Sequence, residues 1–287
     1  MSARALFKTS FERLTDQFKA ANQPFNVSTR PYYSSGGFRF NVVDTVVDGA
    51  GLTRLFLKAE TNQRIDLFSY GLGDDVDSVG LGNRNGTDAD TNIVEKTNTN
   101  NEDFCIEGLS ATARGVGVSY SEVDGLTDAA WTDALLNGTV TIDDPGANVL
   151  PPEASSPLVL EDLLFRAMAP KCQLRLEWNR KEGDYLGTVD QCPEGGGKSY
   201  LRSNGEPSAF NYFRIPEGWI WRREGAPRDT ILIISATLME PVLVVATLPL
   251  TFTGGDSELE LGDLQYINLV WKLRLHGRAA YLPSQNV

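Results

Sequence analysis

Beyond Pro24 the chain repeats one pattern almost to its end: short segments rich in β-branched and aromatic residues, separated by Gly, Pro, Asn or Asp. FRFNVVDTVV, TRLFLKAE and QRIDLFSYG come first, and FCIEGLSATARGVGVSY resumes the pattern after a polar interval. CQLRLEW, DYLGTVDQ, NYFRIP, WIWRRE, DTILIISATLM, VLVVATLPLTF and YINLVWKLRLHGRAAYL complete it. Such segments read as strands, and the residues between them as turns. Helices do not alternate with the strands, which favours an all-β antiparallel sandwich over a parallel βαβ sheet. No repeat period points to a solenoid or propeller.

Three helices interrupt this pattern. At the N-terminus, Phe7, Phe11, Leu14 and Phe18 form one apolar stripe at helical spacing. Ser2 is placed to cap that helix, and Arg4, Lys8, Arg13 and Lys19 occupy its other faces. Residues 1–22 therefore read as an amphipathic helical arm ahead of a β-domain spanning 23–287. The stripe has two readings: docking on the chain's own core, or reaching a neighbouring subunit or an underlying surface. A second helix is expected in LTDAAWTDALLNG, between a Thr127 cap and Gly138, and a third in SPLVLEDLLFRAM after Ser156 and Pro157. The Pro151-Pro152 region is the best candidate for a domain boundary.

Composition limits the chemistry. The 287 residues carry a formal net charge of -12, which argues against coating nucleic acid, where affinity comes from Lys and Arg on phosphates. His276 is the single histidine, so chemistry needing two imidazoles is excluded. Cys105, Cys172 and Cys192 lack the spacing of a zinc site. Cys172 and Cys192 could pair in an oxidising setting, but an odd cysteine count without a signal peptide favours buried free thiols. No apolar run is long enough to cross a bilayer as a helix. The N-terminus lacks an uninterrupted apolar leader segment, so the sequons at Asn26, Asn85 and Asn137 are expected to carry no glycan.

The polar interval, GLGDDVDSVGLGNRNGTDADTNIVEKTNTNNEDF at 71–104, is the stretch that most looks like a site. Asp88, Asp90 and Asn92 give the opening oxygen spacing of an EF-hand loop. Ile93 stands where that loop needs glycine, and Thr99 where it needs glutamate. What survives is a set of candidate ligands for a structural calcium in an irregular oxygen cluster. Gly197-Lys198-Ser199 copies the end of a phosphate-binding loop, but Cys192 replaces its first glycine and a strand-like segment follows instead of a helix. No GxSxG elbow occurs. Asp74 with Asp75, Asp143 with Asp144, and Glu161 with Asp162 are the carboxylate pairs that glycoside chemistry could draw on. Trp219 and Trp221 project from one strand face, where they could stack on sugar rings or fill a sandwich core with Ile220 turned outward.

Two stretches carry a family resemblance. DLFSYGLGDDV followed by TDADTNIVEKTNTNNEDFCIEGLS, and FNYFRIPEGWIWRREGAPRDTILIISATL, resemble the jelly-roll capsid proteins of icosahedral, often membrane-containing, bacteriophages. The resemblance covers the central part of the chain and transfers no individual functional residue. It implies an elaborated jelly roll with long loop insertions and a short N-terminal helix, the alternative being two smaller jelly rolls divided near 145–160. It further implies a non-enzymatic capsid shell subunit of the virion that self-assembles as a homo-oligomer and meets other virion proteins. An inner lipid layer would be reached through the arm, and sequence-specific contact with nucleic acid is not expected. A carbohydrate- or receptor-binding sandwich and a glycoside-active enzyme are the other two function classes, neither with an assigned cofactor.

Overall fold

The structure is a computed structural model that describes residues 9–29, 31–47, 52–76, 79–81, 85–93, 102–120, 139–141, 160–178, 184–192, 213–222, 231–249 and 264–281. Helix α1 (Ser10–Ala20) leads into β1 (Asn26–Thr29), β2 (Tyr32–Val47), β3 (Leu52–Ala59), β4 (Arg64–Leu67), β5 (Glu102–Tyr120) and β6 (Thr139–Thr141). Helix α2 (Leu160–Met168) follows, then β7 (Cys172–Trp178), β8 (Asp184–Thr188), β9 (Phe213–Trp221), β10 (Leu232–Leu238), β11 (Val242–Pro249) and β12 (Leu264–Tyr281).

The strands form two antiparallel sheets. The larger runs β6-β11-β3-β2-β12-β5-β9, with β1 joined to the end of β12, and the smaller runs β4-β10-β7-β8. At the centre of the larger sheet β12 pairs with β5 from Leu264 to Tyr281 on one edge. On its other edge it pairs with β2 through Leu275 and then with β1. Its alternation sets the layers. Ile267, Leu269, Trp271, Leu273 and Leu275 are fully buried on the inner face, while the residues between them point the other way.

The inner face meets the smaller sheet in one continuous apolar cluster that joins Phe38, Phe40 and Leu57 to Leu174, Leu176 and Ile234. Gly36 on β2 marks the closest approach, because a Cβ there would lie 2.5 Å from Ile65 Cδ1 and 3.1 Å from Leu67 Cδ2 on β4. Helix α2 closes the cluster with Leu163, Leu164 and Met168. Trp271 stacks on Phe38 at 6.2 Å and meets Phe165 of α2 at 6.3 Å. Burial of rings this large supplies much of the driving force for joining the sheets.

Several expectations change in detail. The described parts of NYFRIP and WIWRRE belong to the single strand β9, whose pairing with β5 is irregular between Ile106 and Gly108. A division into two smaller rolls near 145–160 does not describe the arrangement, because each sheet takes strands from both sides of that point. The N-terminal helix is capped by Thr9, not Ser2, in a reciprocal box with Glu12. Ser2, Phe7, the 127–138 helix and the Ser156-Pro157 cap lie outside the described residues.

Replacing Trp271 by Ala is expected to lower unfolding stability by about 3–5 kcal/mol, through lost burial and a cavity between α2 and β2. Tyr185→Ala, at a side chain 59% exposed on β8, should stay within about 0.5 kcal/mol of the parent. Urea unfolding followed by tryptophan fluorescence and circular dichroism measures both.

Candidate functional site

The segments on either side of β4 answer a local problem of β2. Strand β3 pairs with β2 only from Asn41 onward, and among the described residues no strand pairs with the same edge from Tyr33 to Arg39, where Ser34 and Thr91 make a single bridge. Side chains from the β3–β4 turn, from just after β4 and from the polar excursion at 71–104 supply the rest. Gln63 Oε1 accepts the Arg39 N–H at 2.9 Å, and its Nε2 donates to the Arg39 carbonyl at 2.8 Å. The Tyr70 hydroxyl accepts the Ser35 N–H at 3.1 Å and donates to the Ser35 carbonyl at 2.8 Å. Asn92 Oδ1 accepts the Tyr33 N–H at 2.8 Å, while the Thr91 hydroxyl donates to the Tyr33 carbonyl at 3.0 Å.

Between these contacts, at Gly37, backbone meets backbone: a Cβ there would lie 2.4 Å from the Gly80 carbonyl oxygen. Gly80 itself holds a φ of +71, which a glycine adopts without strain. Tyr70, Val76, Val79 and Leu81 then bury themselves together, with Val270 of β12 against them. Side-chain hydrogen bonds and a small apolar cluster thus cover an edge that would otherwise recruit another strand.

This use accounts for the expected calcium ligands. Asp90 is buried, with one carboxylate oxygen paired to Arg114 and the other accepting from the Thr87 N–H at 2.9 Å and the Thr87 hydroxyl at 2.8 Å. Asn92 reaches the backbone of β2 and of Pro31. Asp88 is exposed, and its carbonyl accepts the Tyr33 hydroxyl at 2.5 Å. Among the described residues no three His, Cys, Asp or Glu gather into a metal-sized group.

The tryptophan pair resolves in the same direction. Trp221 is fully buried, meets Tyr32 edge-on at 5.4 Å, and cannot stack on a sugar. Trp219 packs against the same core, and Ile220 between them faces outward beneath α1. The aromatic platform is therefore part of the interior, since strand alternation turned both rings towards the sheet-to-sheet layer. Asp74 and Asp75 are exposed on the excursion, and Asp74 Oδ2 accepts the Gly71 N–H at 2.9 Å. Glu161 and Asp162 lie on the first turn of α2, while Asp143, Asp144 and residues 197–199 lie outside the described residues.

All three cysteines are free and buried. Burial pushes the Cys105 and Cys192 thiols up to about 12 and raises Cys172 further, so none is a thiolate at neutral pH.

The outer face of the large sheet gathers the polar groups that remain. At one end α1 covers it: Phe11, Leu14 and Phe18 pack on Cys105 and Ala280, with Phe25 and Ile220 alongside. The apolar stripe of the N-terminal helix thus docks on the chain's own sheet. At the other end the excursion covers Val270. Between these walls β12 presents Lys272, Arg274, His276 and Arg278 at alternate positions.

Lys272, His276 and Arg278 have defined settings. Lys272 sits over the Tyr33 ring at 4.2 Å, and Arg278 lies over the Phe11 ring at 4.1 Å while paired with Glu107. Ser110 Oγ and His276 Nε2 are 2.7 Å apart. Burial, and then the nearby Arg274 charge, lowers the His276 pKa, so its imidazole is neutral at pH 7. Arg222, from the end of β9, braces the helical wall by pairing with Asp103 at 3.0 Å and donating to Gln17 at 3.3 Å. The sequence signal for this row is the K-L-R-L-H-G-R alternation, which by itself marks only a strand.

Set against known protein families, curated proteins and solved structures, the chain matches none.

Tyr70→Phe removes one hydroxyl and leaves both backbone groups of Ser35 buried without it. A loss of about 1–3 kcal/mol is expected in urea unfolding, together with faster hydrogen exchange at Ser35. A change below about 0.3 kcal/mol would mean that the edge is satisfied in another way.

Proposed function

We propose that the protein is a structural subunit of a virion shell, built as an elaborated jelly roll and assembling laterally with copies of itself and with other virion proteins. The observation that carries this reading is the capped edge of β2: Gln63, Tyr70, Thr91 and Asn92 supply strand-like hydrogen bonds along it. A subunit held at high local concentration gains most from closing such an edge, because an open one pairs with any neighbour and competes with ordered assembly. Two of these residues, Thr91 and Asn92, come from the stretch of sequence most suggestive of ligand binding. The acidic balance serves the same end, since like-charged surfaces resist random clumping.

The other two readings draw less support. Glycan recognition through Trp219 and Trp221 has lost its platform to the core. Glycoside chemistry would need two carboxylates facing one cleft, and the buried acids Glu102, Asp103 and Asp90 are engaged in structural contacts with Tyr32, Arg222 and Arg114. Contact with an inner lipid layer is not assigned to Phe11, Leu14 and Phe18, which face the chain's own sheet.

Light scattering on the purified protein across a concentration and salt series, with the same samples viewed by negative-stain microscopy, tests the reading. Closed oligomers, flat arrays or shells are expected. A strict monomer at every concentration would overturn it.

A further inference from the structure

Two of the three cysteines come together where the small sheet meets the large one. Cys172 opens β7 and directly follows a 3-10 turn, Ala169–Lys171. Cys192 directly follows another, Val189–Gln191, at the end of β8. The two turns pack on each other. The ladder between β7 and β8 sets Gln173 opposite Thr188, which leaves Cys172 beside the start of the second turn. The Cys192 N–H donates to the Val189 carbonyl at 3.0 Å, folding Cys192 back towards that same point.

Both side chains enter one apolar cluster, Cys172 fully buried and Cys192 3% exposed. After burial itself, the neighbouring Cys192 is what raises the Cys172 pKa. Cys105 lies apart from them, under α1 on the outer face of the large sheet.

We propose that Cys172 and Cys192 form a paired dithiol that closes to a disulfide on meeting a small-molecule disulfide oxidant, and that this bond staples the junction between the two sheets. The inference is independent of the assembly reading above.

The exchange runs in two steps. Cys192, the more exposed of the two, loses its proton and its Sγ attacks one sulfur of the small disulfide. That S–S bond breaks and one thiolate leaves. The Cys172 Sγ, deprotonated in turn, attacks the Cys192 sulfur and expels the second thiolate. The protein gives up two electrons and two protons, and the oxidant is reduced to two thiols. Burial keeps both cysteines protonated at neutral pH, so the exchange is slow and waits on local opening.

What the bond would hold follows from the contacts already made there. The Cys192 carbonyl accepts the Ala111 N–H of β5 at 2.9 Å, which ties its turn to the large sheet. Cys172 pairs with Leu238 of β10 inside the small sheet. A link between them joins β5 to β7 and β10 and fixes the end of β8, the outermost strand of that sheet.

The full-length protein is treated with oxidised glutathione in two arms: folded, and during refolding from urea, where the oxidant enters before the core closes. Free thiols are then labelled with N-ethylmaleimide in denaturant, and the chain is mapped by mass spectrometry without reduction. Arg175 lies between the two cysteines in sequence, so trypsin releases them on separate peptides. A covalent link between those peptides is expected, with label on Cys105 alone and an intact mass lower by about 2 Da before labelling. The urea midpoint should rise by about 1 M and return on adding dithiothreitol. In Cys172→Ser and Cys192→Ser the oxidant should leave the midpoint unchanged. Label on all three cysteines in both arms, a glutathione that stays attached to Cys192, or a link through Cys105 would overturn the inference. The map of the parent protein decides this even where a serine variant fails to fold.

Discussion

The pairing of β12 on both of its edges is the constraint on which the rest of the structure depends. One strand of 18 residues holds β5 along its whole length, and β2 followed by β1 along the opposite edge. Because side chains alternate along a strand, this one element fixes what lies on each side of the sheet. A register slip by a single residue would send Trp271, Leu273 and Leu275 to the outer face and the cations into the core. The inner residues reach the small sheet and α2. The outer residues receive α1 at Ala280 and the excursion at Val270. Strand β12 is therefore the reference from which the core, the helix dock and the cationic row are all positioned.

The same central strand creates the problem that the segments around β4 solve. Residues from Tyr33 onward in β2 must pair with β12, yet β3 reaches β2 only at Asn41, and the other edge of β2 is left over. Backbone donors and acceptors at Tyr33, Ser35 and Arg39 are satisfied by Asn92 with Thr91, by Tyr70 and by Gln63. Buried backbone groups without partners would cost about 1–3 kcal/mol each, so a polar segment is the right material for this position. Within the polar interval, Thr91 and Asn92 imitate backbone in this way at Tyr33.

The strand pattern was legible in the sequence because alternation and turn residues are local signals. The long C-terminal strand, the antiparallel class and the inward placement of both tryptophans as core residues were all within reach of it. The capping box could also have been found, since Thr9-Ser10-Phe11-Glu12 has the spacing for reciprocal hydrogen bonds. Strands β1 and β6, four and three residues long, carry too few residues for periodicity to register. The edge cap was not legible at all. Its contacts join Tyr70 to Ser35 and Asn92 to Tyr33, pairs separated by 35 and 59 positions, and no residue type announces such a partner. Asp90 looked like a cation ligand for the same reason: its true cation, Arg114, lies on β5 and is brought close only by the sheet.

Taken together, the side chains of Gln63, Tyr70, Thr91 and Asn92 act as a substitute strand along β2. Native-state hydrogen exchange, resolved by residue, tests this most directly. The account predicts that the Tyr33, Ser35 and Arg39 amides, whose N–H groups are held by side chains and not by a strand, exchange as slowly as the central amides of β12. Rapid exchange at those three positions while β12 remains protected would show an open edge, and would contradict the structural role given to these side chains.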